Sequence, residues 1–303
     1  MAGQLPAIET FGLSKRYLGS SKYALRDLDL DIMPGEVYGF LGPNGAGKST
    51  TIRLLMNFIQ PTHGQAQILG SDVVSKSFQI KSQIGYLPGE LVLYPKMTGW
   101  QFLDYMNSLQ PAKSVGFIRR LASLFEVELN KKIAKLSKGN KQKIGLIQAF
   151  MHEPGVLILD EPTAGLDPLI QEVFFELVRA TKNRGATLFI SSHNLSEVQK
   201  ICDRVGFIRK GRLIAEQSIS DLSKSASQTY DINFAEVVPK AELRQLPRSK
   251  IKINTPHHVT IQMTGDLKPL FMFLARHQVR SLDRREINLE DEFLKFYRGK
   301  GKL

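Results

Sequence analysis

EVYGFLGPNGAGKSTTIRLL, residues 36–55, decides how the rest of the chain is read. Residues 36–42 form an apolar run of strand character that feeds a glycine-rich turn. KSTTIRLLMNFI then repeats apolar residues at Ile52, Leu55, Met56 and Ile59, the spacing of one helix face. A strand, a glycine turn and a helix in that order can wrap backbone N–H groups around a phosphate. Gly42, Gly45 and Gly47 let the main chain approach closely, Lys48 neutralises charge, and Ser49 offers an oxygen to Mg²⁺. The whole run is the expected phosphate contact, with Pro43, Asn44, Ala46 and Thr50 included.

A phosphate loop needs a metal and a water nearby. VLILDEP, residues 156–162, ends an apolar strand on Asp160 and Glu161, where buried carboxylates are costly unless charge meets them. Asp160 is expected to hold Mg²⁺ through its waters, and Glu161 to act as general base. VLILD and TLFIS (residues 187–191) are near-continuous apolar runs, as suits central parallel strands covered on both faces. LRDLDLDI, residues 25–32, instead alternates, with Leu28, Leu30 and Ile32 on one face and Asp27, Asp29 and Asp31 on the other.

Between Met97 and Pro154 the pattern becomes purely helical, in TGWQFLDYMNSL, GFIRRLASLFEV and KQKIGLIQAFMHE. This predicts a helical subdomain over about residues 95–153, inserted into an α/β domain spanning 1–222. The serine-rich stretch that follows predicts a linker at 223–228. Residues 229–303 then predict strand (TYDINF), helix (239–245), strand (KIKI), strand (VTIQM), helix (LKPLFMFLARH), strand (VRSLD) and a last helix (LEDEFLKFY), a small α+β appendage of ferredoxin-like character.

The 303 residues carry 41 Lys+Arg against 29 Asp+Glu, a formal charge of +12 that favours polyanionic partners without choosing among them. The lone Cys202 excludes an internal disulfide and predicts a reducing compartment and a buried structural thiol. No leader pattern opens the chain and no run of apolar residues is long enough to span a bilayer, so a membrane role is expected to come through a partner. His257 and His258 lack a second pair at metal-ligand spacing and read as loop residues.

A loop and a carboxylate pair fit many nucleotide hydrolases. LSKGNKQK (residues 136–143) narrows the choice: it resembles the LSGGQ signature of ABC ATPases and lies between the two motifs as it does there. AGLDP (164–168) resembles that family's D-loop, and SSHNLSEV (191–198) its switch-histidine loop. The resemblance implies a P-loop NTPase core of the ABC type, an ATPase using ATP and Mg²⁺, coupled to transport. It implies that Tyr17 stacks on adenine, that Ser137 and Gly139 grip the γ-phosphate held by an opposite subunit, and that Asp167 passes between the two sites. His193 would touch the γ-phosphate and the catalytic water, with Glu161, His193 and Lys48 as the catalytic group.

Two positions depart from the family pattern. Gly89 stands where glutamine usually follows the GYLP-like strand, with Glu90 next, a carboxylate that could take the metal and water contact. Lys138 replaces the signature's first glycine and Asn140 its glutamine; Lys138 could aid phosphate binding or simply be solvated.

The resemblance further implies a homodimer peripheral to the cytoplasmic face of the cell membrane, working with an integral membrane permease. Tyr94, Met97, Trp100 and Phe102 are the expected groove for that permease, or else the insert's own core. VRSLDRREINLEDEFLKFYRG is similar to the close of ATPase subunits from the bacterial drug- and antibiotic-exporting branch. A soluble ABC-type ATPase acting on ribosomes or nucleic acid is the alternative. The single cassette, without sustained heptads or an aromatic-interleaved basic stripe, argues against it, and no nucleic acid partner is expected. A kinase leaves the signature, D-loop and switch motifs unexplained.

Overall fold

The computed structural model describes residues 5–110, 114–225, 228–263 and 265–285. The chain divides into two compact units, Met1–Gln217 and Ser218–Leu303.

The first unit opens with β1 (Ile8–Arg16) and β2 (Tyr23–Ile32), an antiparallel pair in which Leu28, Leu30 and Ile32 are buried as the alternation requires. All of β3 (Val37–Leu41) is buried, and α1 (Lys48–Leu55) follows the glycine loop. α1 stops short of the expected Ile59 because Asn57 takes a left-handed φ of 49°. The Phe58 N–H then donates to the Arg53 carbonyl at 2.8 Å and the Asn57 N–H to that of Leu54 at 3.0 Å, which closes the helix end. β4 (His63–Ile68) and β5 (Ser71–Asp72) complete a four-stranded sheet in the order β2-β1-β4-β5.

After α2 (Ser77–Lys81) and β6 (Ile84–Leu87) come the helices of the expected insert: α3 (Gly99–Ser108), α4 (Val115–Leu124) and α5 (Lys138–Phe150). Thr98 and Gln101 start α3 with a reciprocal capping box. Phe102 packs in the insert's own core, whereas Tyr94 is half exposed, with ring centroids 6.0 Å from Phe102 and 6.1 Å from Tyr105. Trp100 is half-buried beneath the Arg119 guanidinium at 5.5 Å. The four residues expected to share a groove therefore divide between core and surface.

The chain returns through β7 (Val156–Asp160), α6 (Pro168–Asn183), β8 (Thr187–Ser192), α7 (Leu195–Ile201), β9 (Arg204–Arg209) and β10 (Arg212–Ser218). The six-stranded sheet runs β10-β9-β3-β8-β7-β6, and β9, β3, β8, β7 and β6 pair in parallel. β3, β7 and β8 are buried along their whole length, which is why their sequences are apolar without alternation. Their carboxyl ends share one edge, so the glycine loop after β3, the carboxylates ending β7 and the serines ending β8 are neighbours. Cys202 is buried, and that burial pushes its thiol far above the usual range.

In the second unit, α8 (Ile219–Ser225) runs into the first half of the stretch 223–228 expected to be a linker. The reason is a cap: Ser218 Oγ accepts the Asp221 N–H at 3.0 Å, so a serine starts a helix here. β11 (Gln228–Phe234), α9 (Lys240–Leu243), β12 (Ser249–Thr255), β13 (His258–Met263), α10 (Lys268–Leu274) and β14 (Val279–Arg285) give an antiparallel sheet ordered β12-β13-β11-β14, the split βαβ arrangement of a ferredoxin-like fold. Tyr230, Ile232, Phe234, Val259, Ile261 and Phe273 belong to its separate core. The expected last helix, LEDEFLKFY, lies outside the described residues. Among those described, no helix is long and apolar enough to cross a membrane.

Candidate nucleotide site

The loop leaves β3 under tight constraint. Gly42 N–H donates to the Ser192 carbonyl at 3.2 Å, and a Cβ on Gly42 would sit 2.5 Å from the Ile208 carbonyl oxygen. Gly47 has φ 116°, and a Cβ there would meet the Ala24 carbonyl at 2.8 Å. Lys48 is 6% exposed, and its Nζ donates to the Gly42 carbonyl at 2.6 Å and faces Glu161 Oε1 at 3.1 Å. A buried ammonium is tolerable only with such partners. α1 has no side-chain cap at Gly47 and no acid in its first turn, so its leading N–H groups are left to an anion.

Asp160 is 5% exposed and held from both sides. Its Oδ2 accepts the Ser49 hydroxyl at 2.8 Å, and its Oδ1 accepts the Ser191 hydroxyl. Ser49 Oγ and the Asp160 carboxylate are hard oxygen donors side by side, a set that fits Mg²⁺. Glu161 has φ 49°, in the left-handed region that non-glycine residues avoid, and its N–H lies 3.2 Å from both the carbonyl and the hydroxyl of Ser191. Its Oε2 is 2.7 Å from His193 Nδ1, while its buried Oε1 has no directed hydrogen bond beyond the ion pair with Lys48. Lys48, Glu161 and His193 thus form one continuous file, with His193 exposed at its outer end.

On the flank of Asp160 lies Gly89, where a Cβ would be 3.0 Å from Oδ2. Glu90 is exposed and has no hydrogen bond or ion pair among the described residues, so of the pair the structure brings Gly89 to the Asp160 carboxylate and not the Glu90 side chain. Tyr86 lies on the same side; burial first, and the Asp160 charge second, push its hydroxyl up to about 12. Tyr17 is half exposed, one residue beyond the Arg16–Tyr23 pair of the hairpin. That hairpin's Ala24 carbonyl abuts Gly47, while Tyr17 itself lies beneath the Lys15 ammonium, 5.6 Å from its ring centroid.

The remaining expected residues lie at two other helix starts. Ser137 caps α5, its Oγ accepting the Asn140 N–H at 3.2 Å, and Asp167 caps α6, accepting that of Ile170 at 3.0 Å. The two starts touch: a Cβ on Gly139 would meet the Gly165 carbonyl at 2.8 Å, and the Lys138 stem runs beside Gly165. Ser137, Lys138 and Asp167 are exposed.

A family model described as ABC transporter matches residues 25–164, and one described as an AAA domain, putative AbiEii toxin, matches 132–198. The chain is 32% identical to an uncharacterized ABC transporter ATP-binding protein of Synechocystis, over 98% of this chain and 86% of that protein. It is 39% identical to a bacitracin transport ATP-binding protein of Bacillus licheniformis over 76% of this chain and 75% of the other. This chain is an ABC transporter ATP-binding subunit. A solved ATP-binding subunit of an ABC transporter superposes with TM-score 0.66 at 31% identity, covering 71% of this chain and 91% of that one. The P-loop ABC ATPase fold and ATP hydrolysis as its activity follow.

In this ABC ATPase, residue-by-residue reading passed over Ser191 and Gln142. Ser191 bonds Asp160 because β7 and β8 pair Asp160 with Ser191, a register no motif spacing displays. Gln142, buried on α5, donates its Nε2–H to the Pro162 carbonyl at 3.1 Å. The only signal for it is a glutamine on the helix face that also carries Gly145, Leu146 and Ala149.

Proposed function

We propose that this ABC ATPase hydrolyses Mg²⁺-ATP as a homodimer, each copy's α5 start closing on the nucleotide held by the other, at the inner face of the cell membrane and coupled to a separate permease that exports its cargo. One observation carries the dimer. The file Lys48–Glu161–His193 and the pair Ser49–Asp160 are assembled within one chain, while Ser137 and Lys138 begin a helix with no acid in its first turn and remain exposed. A helix start with two cations nearby, Lys138 and Lys141, is unfavourable by itself and favourable against an anion.

The residues divide the work as follows. Gly42 to Thr50 and the first turn of α1 would bind the phosphates, with Tyr17 under the base. Lys48 Nζ would hold the β- and γ-oxygens; a phosphate there competes with Glu161 for the ammonium and leaves that carboxylate free to take a proton from water. His193, hydrogen-bonded through Nδ1, would keep Glu161 oriented and present Nε2 to the γ-phosphate. Mg²⁺ would neutralise charge on the phosphates. Ser49 Oγ would ligate it directly, and Asp160, fixed by Ser191, would hold its waters. Ser137 and Gly139 would donate from the opposite copy. A transport role is supported by the relative named for bacitracin transport, and half-exposed Tyr94 and Tyr105 would face the permease.

Glu161→Gln tests the reading. Hydrolysis should fall at least about 100-fold while ATP still binds, and light scattering at saturating Mg²⁺-ATP should show a stable dimer. A variant that remains monomeric sinks the homodimer. Purification from gently solubilised membranes should bring down a polytopic membrane protein in near-equal amount; ribosomal proteins or nucleic acid in its place would sink the transporter role.

A further inference from the structure

Glu161 must keep an unfavourable backbone to aim its carboxylate at His193. A residue at φ 49° relaxes unless its neighbours hold it on both sides. On the amino side, its N–H is 3.2 Å from the Ser191 hydroxyl and carbonyl. On the carboxyl side, the Glu161 carbonyl accepts the Ala164 N–H at 3.1 Å and Glu197 accepts the Thr163 hydroxyl at 2.7 Å. Gln142 is the side chain that reaches the 161–162 carbonyls, its Nε2 3.1 Å from that of Pro162 and 3.5 Å from that of Glu161. Gln142 is 6% exposed, so a lost bond there would not be replaced readily by solvent.

Gln142 belongs to α5, whose first turn holds Ser137 and Gly139. α5 is seated without slack: Gly145 meets Leu91 where an added methyl would lie 2.7 Å away, Gly139 abuts Gly165, and Gly85 of β6 lies against the Ala149 carbonyl. A shift of the α5 start therefore reaches the turn after Glu161 through Gln142, within the same chain.

We propose that Gln142 is a positioning residue that holds Glu161 in its left-handed conformation and ties the helix start serving one nucleotide to the general base serving the other. This rests on the dimeric reading above, with Glu161 as base.

Gln142→Met keeps the length and removes the donor; Gln142→Glu keeps the shape and sets an acceptor against two carbonyls. Both should lower kcat at least 5-fold, with KM for ATP within twofold and nucleotide affinity of the isolated chain unchanged. Gln142→Lys, which restores an N–H donor, should recover at least half of the lost rate. Melting curves run alongside show whether each variant is folded, and if Met and Glu variants both fold poorly, Gln142→Lys compared with Gln142→Leu decides the same question. Folded variants with kcat within twofold of the parent overturn the proposal, as does a loss that tracks folded fraction and KM together. If Glu161→Gln itself keeps its hydrolysis rate, the assignment of the base fails, which is distinguishable from a silent Gln142.

Discussion

The phosphate-loop region and the α5 start are built on opposite principles. Around the loop, the buried charged groups are matched inside the chain: Lys48 by Glu161 and two carbonyls, Asp160 by two hydroxyls, Glu161 by His193. At the α5 start, Ser137 spends its oxygen on a backbone cap and Lys138 rests its stem on Gly165 with its charge in solvent. A satisfied site can hold a ligand by itself, whereas an exposed helix start without acids gains most when a second molecule brings it an anion. The comparison predicts that loss of the phosphate-holding ammonium of Lys48 in the first region appears in nucleotide affinity, whereas loss of the base Glu161 or damage to the α5 start appears in turnover.

The sharpest break of that comparison is Lys48→Ala. It removes the buried ammonium and strands Glu161 Oε1, and calorimetry should show ATP affinity down about 100-fold. Next comes Ser137→Ala, which should cut kcat by about 10–100-fold with ATP affinity of the isolated chain within twofold; equal losses in both would erase the distinction between the regions. Gly139→Ala sets a methyl 2.8 Å from the Gly165 carbonyl. The overpacking should cost about 1–3 kcal/mol in denaturant melts, with a smaller loss of turnover than Ser137→Ala.

The smallest expected effect is one of pH. His152 donates from Nε2 to the Ile84 carbonyl at 3.2 Å and leaves Nδ1 buried and unpartnered; burial lowers its pKa from the ordinary 6.5. The neutral form is favoured in the fold. Its contribution is therefore full above the unfolded value and is lost as pH falls below it towards the lowered folded value. His152→Gln should flatten that acid limb of the stability curve by less than about 1 kcal/mol, and an unchanged slope would place the acid sensitivity elsewhere.

What could be read in the sequence was what periodicity and motif carry. The buried runs of β3, β7 and β8, the glycine loop and the three-helix insert were legible because a strand covered on both faces must be apolar and a wrapped phosphate needs glycine and lysine. The ferredoxin-like order of the second unit was legible from its alternating strands. Contacts set by register or by helix crossing were not. Ser191 beside Asp160, Gln142 beneath Pro162, and Phe102 buried while Tyr94 is exposed all depend on how elements lie against one another. Capping hid two boundaries, at Asn57, which ends α1 early, and at Ser218, which turns a serine-rich stretch into α8.

The abutment of Gly139 on Gly165 bears on how such ATPases can be recombined. Residues 136–142 and 162–167 are far apart along the chain yet fit each other to within a methyl group, with Gln142 fastened to Pro162. A graft of the first segment from a relative brings a surface shaped for that relative's second segment. Chimeras that exchange both together should assemble a working interface, while single-segment grafts should carry a steric mismatch into every protein that receives them.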